Sequence, residues 1–157
     1  MKKKVAITLV SVLVLVWLLL PVPMPGQGGG YNPNTEILWC NWHGACVHEV
    51  AHKLDDDGGW ISHTPEFGEA VYVFTASELI AHDTESQRYK LAHKIMRMPG
   101  VISWAGRWLD SQAEIYATIF QAADGKEENM PEIFRPFYDW DATEKLLEKH
   151  QKYPSDG

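Results

Sequence analysis

The sequence predicts a mostly α-helical domain with at most one small sheet, an α+β fold in which the helices dominate. Six stretches have helical character, most of them bounded by a capping residue, a proline or a glycine. Only one short apolar stretch, residues 37–39, is typical of an edge strand. The chain has 157 residues, of which 45% are hydrophobic, so one domain with a single core is expected.

The first two predicted elements are the strand at residues 37–39 and a helix at residues 43–54. Asn41 is a residue type that caps helix N-termini, so it is the predicted cap of this helix. An acidic run followed by Gly58 and Gly59 predicts where the helix ends.

Two further helices are predicted in the middle of the chain. The first covers residues 66–81, although its centre, residues 71–75, also favours a strand because it is rich in β-branched and aromatic side chains. The second covers residues 85–98, and either Asp83 or Thr84 is its predicted cap.

The last part of the chain is predicted to form three helices. One begins at Asp110 or Ser111 and runs to residue 123, where an Asp-Gly pair ends it. The others cover residues 131–137 and 142–150, and a proline disturbs the first of these two.

Residues 1–24 are predicted to lie outside the fold, as a signal anchor or a signal peptide. Lysines at 2–4 precede an uncharged apolar run at 5–20, and through Met24 the stretch can span a hydrocarbon core of about 30 Å. No small-residue cleavage pattern follows, so an uncleaved anchor is favoured over a cleaved signal. The charges place the N-terminus in the cytoplasm and the domain outside, either anchored to the membrane or, after cleavage, secreted.

Residues 25–34 are predicted to be a Gly/Pro linker, and residues 35–153 are predicted to be the folded domain. The chain carries 14 Lys and Arg against 21 Asp and Glu. Without the three N-terminal lysines the balance is 11 against 21, or a net charge of −10. Nucleic acid selects for clustered basic residues, so no nucleic-acid partner is expected for this acidic body.

One motif carries the chemistry. His48, Glu49 and His52 form a His-Glu-x-x-His pattern inside the first predicted helix. Residues four apart share one face of a helix, so both imidazoles can reach one Zn²⁺ at about 2.0–2.1 Å. Glu49 then lies beside the ion, where it can take a proton from a water. The pattern predicts a zinc site with Glu49 as general base; the alternative is a helix with two incidental histidines.

A catalytic zinc needs a third protein ligand. The continuation His-x-x-Gly-x-x-His does not follow His52, which excludes the metzincin pattern. The downstream candidates are His63, Glu66, Glu69, Glu78, His82, His93 and Glu114. Glu114 stands out because the small residues Ala113 and Ala117 allow its helix to pack closely against the first. However, Ser111 and Glu114 also form a capping-box pattern, in which the carboxylate only stabilises the start of its own helix.

The motif region resembles the active-site helix of the Mlc titration factor A family of zinc peptidases and, more distantly, that of the anthrax lethal factor catalytic domain. Residues 48–59 continue the motif as His-Glu-x-x-His-x-x-Asp; residues 113–117 and 130–138 are similar to later segments of the titration-factor family. The resemblance implies a zincin-like metallopeptidase of the gluzincin type, acting on a protein or peptide substrate. It also implies that Glu114 is the third ligand to Zn²⁺ and that Asp55 orients the second histidine or its neighbour.

The sequence departs from this family at the oxyanion-stabilising residue. Members place a tyrosine about two helical turns before the third ligand, but residues 103–109 contain none. Arg107 is the expected replacement, since any preorganised donor stabilises a developing oxyanion. Tyr72, Tyr89 and Tyr116 are alternatives. If no group replaces the tyrosine, the alternative function is a non-hydrolytic, zinc-stabilised binding module.

Cys40 and Cys46 flank the start of the zinc helix. An exported location favours a disulfide between them. Two buried thiols and a thiolate near the metal are the alternatives. His43 lies five residues before His48 and is expected to face away from the metal.

Overall fold

The computed structural model describes residues 28–98 and 111–150. The predicted signal segment and Arg107 lie outside this part. Within it, five α-helices accompany one two-stranded antiparallel sheet, which confirms the prediction of a mostly helical chain with a small sheet. Among the described residues, no helix is both long enough and apolar enough to cross a membrane.

Seven helices and strands follow one another along the described residues. They are β1 (Gly29–Asn32), β2 (Ile37–Cys40), α1 (His43–Asp57), α2 (Pro65–Ala81), α3 (Gln87–Met96), α4 (Ser111–Ala122) and α5 (Trp140–His150). Glu132–Phe137 is a 3₁₀ segment rather than the predicted helix. Pro136 lies inside it and has no N–H to donate to an α-helical hydrogen bond.

Strand β1 occupies part of the predicted linker. Residues 29–32 pair antiparallel with β2, from Gly29 opposite Cys40 to Asn32 opposite Ile37. In the connecting turn, the Asn34 N–H donates to the side-chain oxygen of Asn32 at 3.0 Å. The folded domain therefore begins before residue 35, because the backbone of this glycine-rich stretch finds hydrogen-bond partners on β2.

Two predicted caps are wrong. Helix α1 follows Trp42, which makes no side-chain capping hydrogen bond, so Asn41 does not cap it. Helix α3 starts at Gln87 and is capped by Ser86, whose Oγ accepts from the Tyr89 N–H at 3.0 Å, instead of by Asp83 or Thr84. A serine, threonine, aspartate or asparagine can cap equally well, so pattern alone does not choose between neighbouring candidates.

Helix α1 lies at the centre of the fold. It packs against α4, the β-hairpin and α5, while α2 and α3 pair with each other. Tyr116 of α4 donates its hydroxyl to the Phe137 carbonyl at 2.8 Å, and the hydroxyl of Tyr138 donates to the Tyr116 carbonyl at 2.8 Å. The largest buried core side chains are Val47, Val50, Phe67, Phe74, Tyr116, Ile119, Phe120, Met130 and Phe134.

Candidate metal centre

Helix α1 has a buried face and a polar face. Val47, Val50 and Leu54 recur at helical spacing and are buried in the core. His48 and His52 lie beside this face, and 19% and 16% of their side-chain surfaces are exposed. Core packing of α1 therefore fixes where the two imidazoles project.

Helix α4 brings Glu114 to the two histidines. Its Oε2 lies 3.3 Å from His48 Nε2, and its Oε1 lies 3.3 Å from His52 Nε2. The two Nε2 atoms are 3.2 Å apart. Ala113 and Ala117 of α4 are buried, which is consistent with the close approach of α4 to α1.

The spacing of these atoms suits a metal ion. Ligands at 2.0–2.1 Å around a tetrahedral Zn²⁺ lie about 3.3 Å from one another. The two Nε2 atoms are 3.2 Å apart, and each lies 3.3 Å from a different oxygen of Glu114. With one atom taken from each residue, the three possible ligand atoms lie within 4.8 Å of one another. Two imidazole nitrogens and a carboxylate are also a donor set that zinc accepts. Among residues 28–98 and 111–150, no other group of three His, Cys, Asp or Glu side chains is close enough to hold an ion.

Neighbouring side chains influence the ionisation of Glu114 and of His52. Burial opposes ionisation of Glu114, but hydrogen bonds from His48 and His52 outweigh it and hold the pKa of this carboxyl far below its usual value. Burial likewise opposes charge on His52, yet its interactions with Glu114 raise its pKa. Glu114 is thus kept as a carboxylate, the form that binds a cation.

Glu49 lies next to this cluster and contacts strand β1. Burial raises the pKa of its carboxyl, while nearby His52 and His48 act in the opposite direction. A backbone hydrogen bond from Tyr31 reaches the carboxylate. A general base works best with a pKa near the operating pH, so a raised value suits the role predicted for Glu49.

Asp55 is fully buried and binds the loop that follows α1. Its Oδ1 accepts from the Ser62 N–H and its Oδ2 accepts from the Ser62 hydroxyl, both at 2.7 Å. Both hydrogen bonds go to the loop after α1, so Asp55 ties this loop to the end of the helix. His63 Nδ1 lies 3.0 Å from the same hydroxyl.

The other candidate ligands are occupied elsewhere or lie on the surface. Glu78 pairs with Arg88 at 2.6 Å. The rings of His82 and His93 both contact the ring of Tyr89, with centroids 5.7 and 6.1 Å from that of Tyr89. His63, Glu66 and Glu69 are exposed, as are His82 and His93.

None of the alternative tyrosines is placed in the cluster. The hydroxyl of Tyr116 donates to the Phe137 carbonyl in the core. Tyr72 is 74% exposed on α2, and Tyr89 packs against the rings of His82 and His93. Arg107 lies outside the described residues, so its role stays a prediction.

The cysteines form the disulfide that the sequence favoured, Cys40–Cys46, which joins the end of β2 to α1. His43 faces away from the metal cluster, as expected. Its Nε2 lies 2.7 Å from Asp124 Oδ1, and this pair joins the start of α1 to the turn after α4.

Sequence reasoning missed Gly29 and Tyr31 as neighbours of Glu49. They lie in a run of glycines that reads as linker, and no residue type in that run signals contact with a metal helix.

Comparisons of the chain with protein-family models, with curated proteins and with solved structures gave no match. The resemblance to the titration-factor peptidases therefore depends on the motif residues alone. The fold and the site together define a mostly helical domain with a candidate His-His-Glu metal centre.

Proposed function

We propose that this protein is a zinc-dependent peptidase of the gluzincin type that hydrolyses peptide bonds outside the cytoplasm. The observation that carries the proposal is the geometry of His48, His52 and Glu114, which each offer a ligand atom within 4.8 Å of the others, with Glu49 adjacent. These three residues would hold the ion. When bound, Zn²⁺ supplies Lewis acidity, which acidifies a water and polarises a peptide carbonyl.

The remaining roles in the reaction are assigned to Glu49, Arg107 and Glu114. Glu49 takes the proton from the attacking water and passes it to the leaving amine. Arg107 is expected to stabilise the negative charge that develops on the carbonyl oxygen. Glu114, held as a carboxylate, balances the charge of the ion and orients both imidazoles.

The ligand inventory favours a catalytic site over a structural one. Structural zinc sites are closed by four Cys and His ligands, whereas catalytic sites use three protein ligands and leave one position open. All seven histidines and both cysteines lie in the described part of the chain, and the cysteines are joined in a disulfide. Among the described residues, only His48, His52 and Glu114 form a group that could hold an ion.

The disulfide and the N-terminal sequence support a location outside the cytoplasm. Disulfides persist in oxidising compartments and are rare in the cytosol. The proposed arrangement is a domain held at the outer face of a membrane by residues 1–24, or released from it if this segment is cleaved.

The test is Glu49→Gln in the full-length chain, purified in detergent and assayed with casein. The amide keeps the shape of the side chain and cannot take a proton, so hydrolysis should fall by about 10²–10⁴-fold while bound zinc is unchanged. Glu69→Gln, an exposed glutamate of α2, is the matched control and should keep wild-type activity. Full activity of Glu49→Gln would contradict the assignment. A wild-type protein that binds zinc without hydrolysing peptides would support the binding module instead.

A further inference from the structure

Position 29 of β1 lies directly against the side chain of Glu49. A Cβ atom added at Gly29 would be 2.7 Å from Glu49 Cγ and 3.2 Å from Glu49 Oε1. It would also be 3.1 Å from the backbone oxygen of Trp39. The backbone and the Glu49 side chain share this space, so even an alanine at position 29 requires Glu49 to move.

The backbone N–H and C=O groups of β1 that do not pair with β2 are on the side of α1. Groups of an edge strand point alternately toward and away from their partner strand. The Gly28 carbonyl accepts from the Asn41 N–H at 2.9 Å. The backbone groups of the even-numbered residues of β1 therefore point toward β2. Tyr31 belongs to the other side, and its N–H donates to the carboxylate of Glu49.

Side-chain contacts also hold β1 against the exposed side of α1. The Tyr31 hydroxyl donates to Asp56 Oδ2 at 2.5 Å. Lys53 Nζ lies 5.9 Å from the centre of the Tyr31 ring and 2.8 Å from Asp57 Oδ1. The α1 residues in these contacts follow His52 directly on the same helix, so they hold β1 alongside the motif.

We propose that strand β1 positions the general base: Gly29 leaves the space that the Glu49 side chain fills, and the Tyr31 N–H fixes the direction of its carboxylate. Gly29 and Tyr31 are positioning residues, since neither contacts the reacting atoms. The inference rests on the proposed function for its kinetic consequences. The placement of Glu49 by β1 does not depend on that function.

Misplacement of the base should affect turnover more than binding. A displacement of about 1 Å in a catalytic group can cost about 100-fold in rate. The residues that would hold zinc are His48, His52 and Glu114, and none of them supplies one of the three atoms nearest to a Cβ added at position 29. Loss of activity with retained zinc is therefore the expected signature of a change at Gly29.

The experiment compares Gly29→Ala with Gly30→Ala in the full-length chain. At Gly30 an added Cβ would meet the Trp39 indole, 2.7 Å from Nε1, on the face of the hairpin opposite to Glu49. Gly29→Ala should lower kcat by about 100-fold, with KM within about twofold and zinc content unchanged. Gly30→Ala should stay near wild-type kcat. Equal losses in both variants, or wild-type kcat in Gly29→Ala, would overturn the proposal.

A double variant separates positioning from a general effect on folding. If Gly29→Ala acts only through Glu49, the variant Gly29→Ala/Glu49→Gln should be no slower than Glu49→Gln alone. Multiplied losses would show that position 29 acts by another route and would overturn the proposal.

A spectroscopic readout does not require hydrolysis. Selective ¹⁵N labelling of the six tyrosines resolves the Tyr31 amide, assigned by its absence in Tyr31→Phe. Removing the acceptor in Glu49→Ala, or displacing it in Gly29→Ala, should move this amide proton upfield, and Glu69→Gln, the exposed control on α2, should not. An unmoved resonance in Glu49→Ala would refute the hydrogen bond even if the protein proves inactive, whereas a moved resonance in an inactive protein would contradict only the proposed function.

Discussion

At the scale of single residues, the role of Glu114 separates a metal centre from an ordinary helix start. A capping-box glutamate turns its carboxylate to the backbone of its own helix. In this structure the two oxygens of Glu114 instead lie 3.3 Å from Nε2 of His48 and of His52. The sequence alone supported both readings, because the choice depends on how α4 packs against α1.

Outside the candidate metal centre, Asp55 is the residue whose replacement should lower the free energy of unfolding most. It is fully buried, and Asp55→Ala leaves the Ser62 N–H and hydroxyl without their acceptor. We expect a loss of about 3 kcal/mol in the free energy of unfolding, measured with urea. Asp57→Ala, on the exposed side of the same helix, should change it by less than about 0.5 kcal/mol. Equal effects would contradict the role of Asp55 in binding the loop.

Tyr31 should make stability fall at alkaline pH. Burial and then the hydrogen bond to Asp56 raise its pKa above the ordinary 10.0. A phenol whose pKa is raised by folding stabilises the fold fully below pH 10, and this contribution is lost as the pH rises above 10. The free energy of unfolding should therefore drop less between pH 9 and pH 11 in Tyr31→Phe than in wild type. Identical pH dependence would contradict this account.

At the scale of elements, long amphipathic segments were predictable and short polar ones were not. The helices over residues 43–57 and 111–122 were predicted within three residues of their ends, because their apolar faces and terminating glycines agree. Strand β1 was not predicted, because Gly29 and Gly30 have low strand propensity and acquire their conformation from β2 and α1. Local sequence patterns therefore predicted helix α1, which carries the motif. Strand β1, which lies beside Glu49, forms through tertiary contacts that such patterns do not reveal.

The Cys40–Cys46 disulfide should stabilise the hairpin that carries β1. The bond closes a short loop between β2 and α1. In the double variant Cys40→Ser/Cys46→Ser we expect unfolding to require about 2 kcal/mol less, by urea denaturation. Wild type reduced with dithiothreitol should match the double variant. Unchanged stability in both would show that packing alone holds the hairpin on α1.

At the scale of the whole molecule, the features agree on one arrangement. The predicted anchor and the Cys40–Cys46 disulfide are consistent with a domain outside the cytoplasm. The central helix α1 carries the motif, α4 supplies the carboxylate, and β1 lies against Glu49. Each element of the centre is thus held by contacts with α1.

The most direct test of the central claim is the zinc content of the full-length protein, measured by plasma mass spectrometry after dialysis. Wild type should carry about one zinc per chain, and both His52→Ala and Glu114→Ala should lose it. Glu78→Ala, which removes a carboxylate paired with Arg88, should keep it. Zinc retained at the wild-type level in Glu114→Ala would contradict the account, because it would return this glutamate to a capping role and leave the centre without its third ligand.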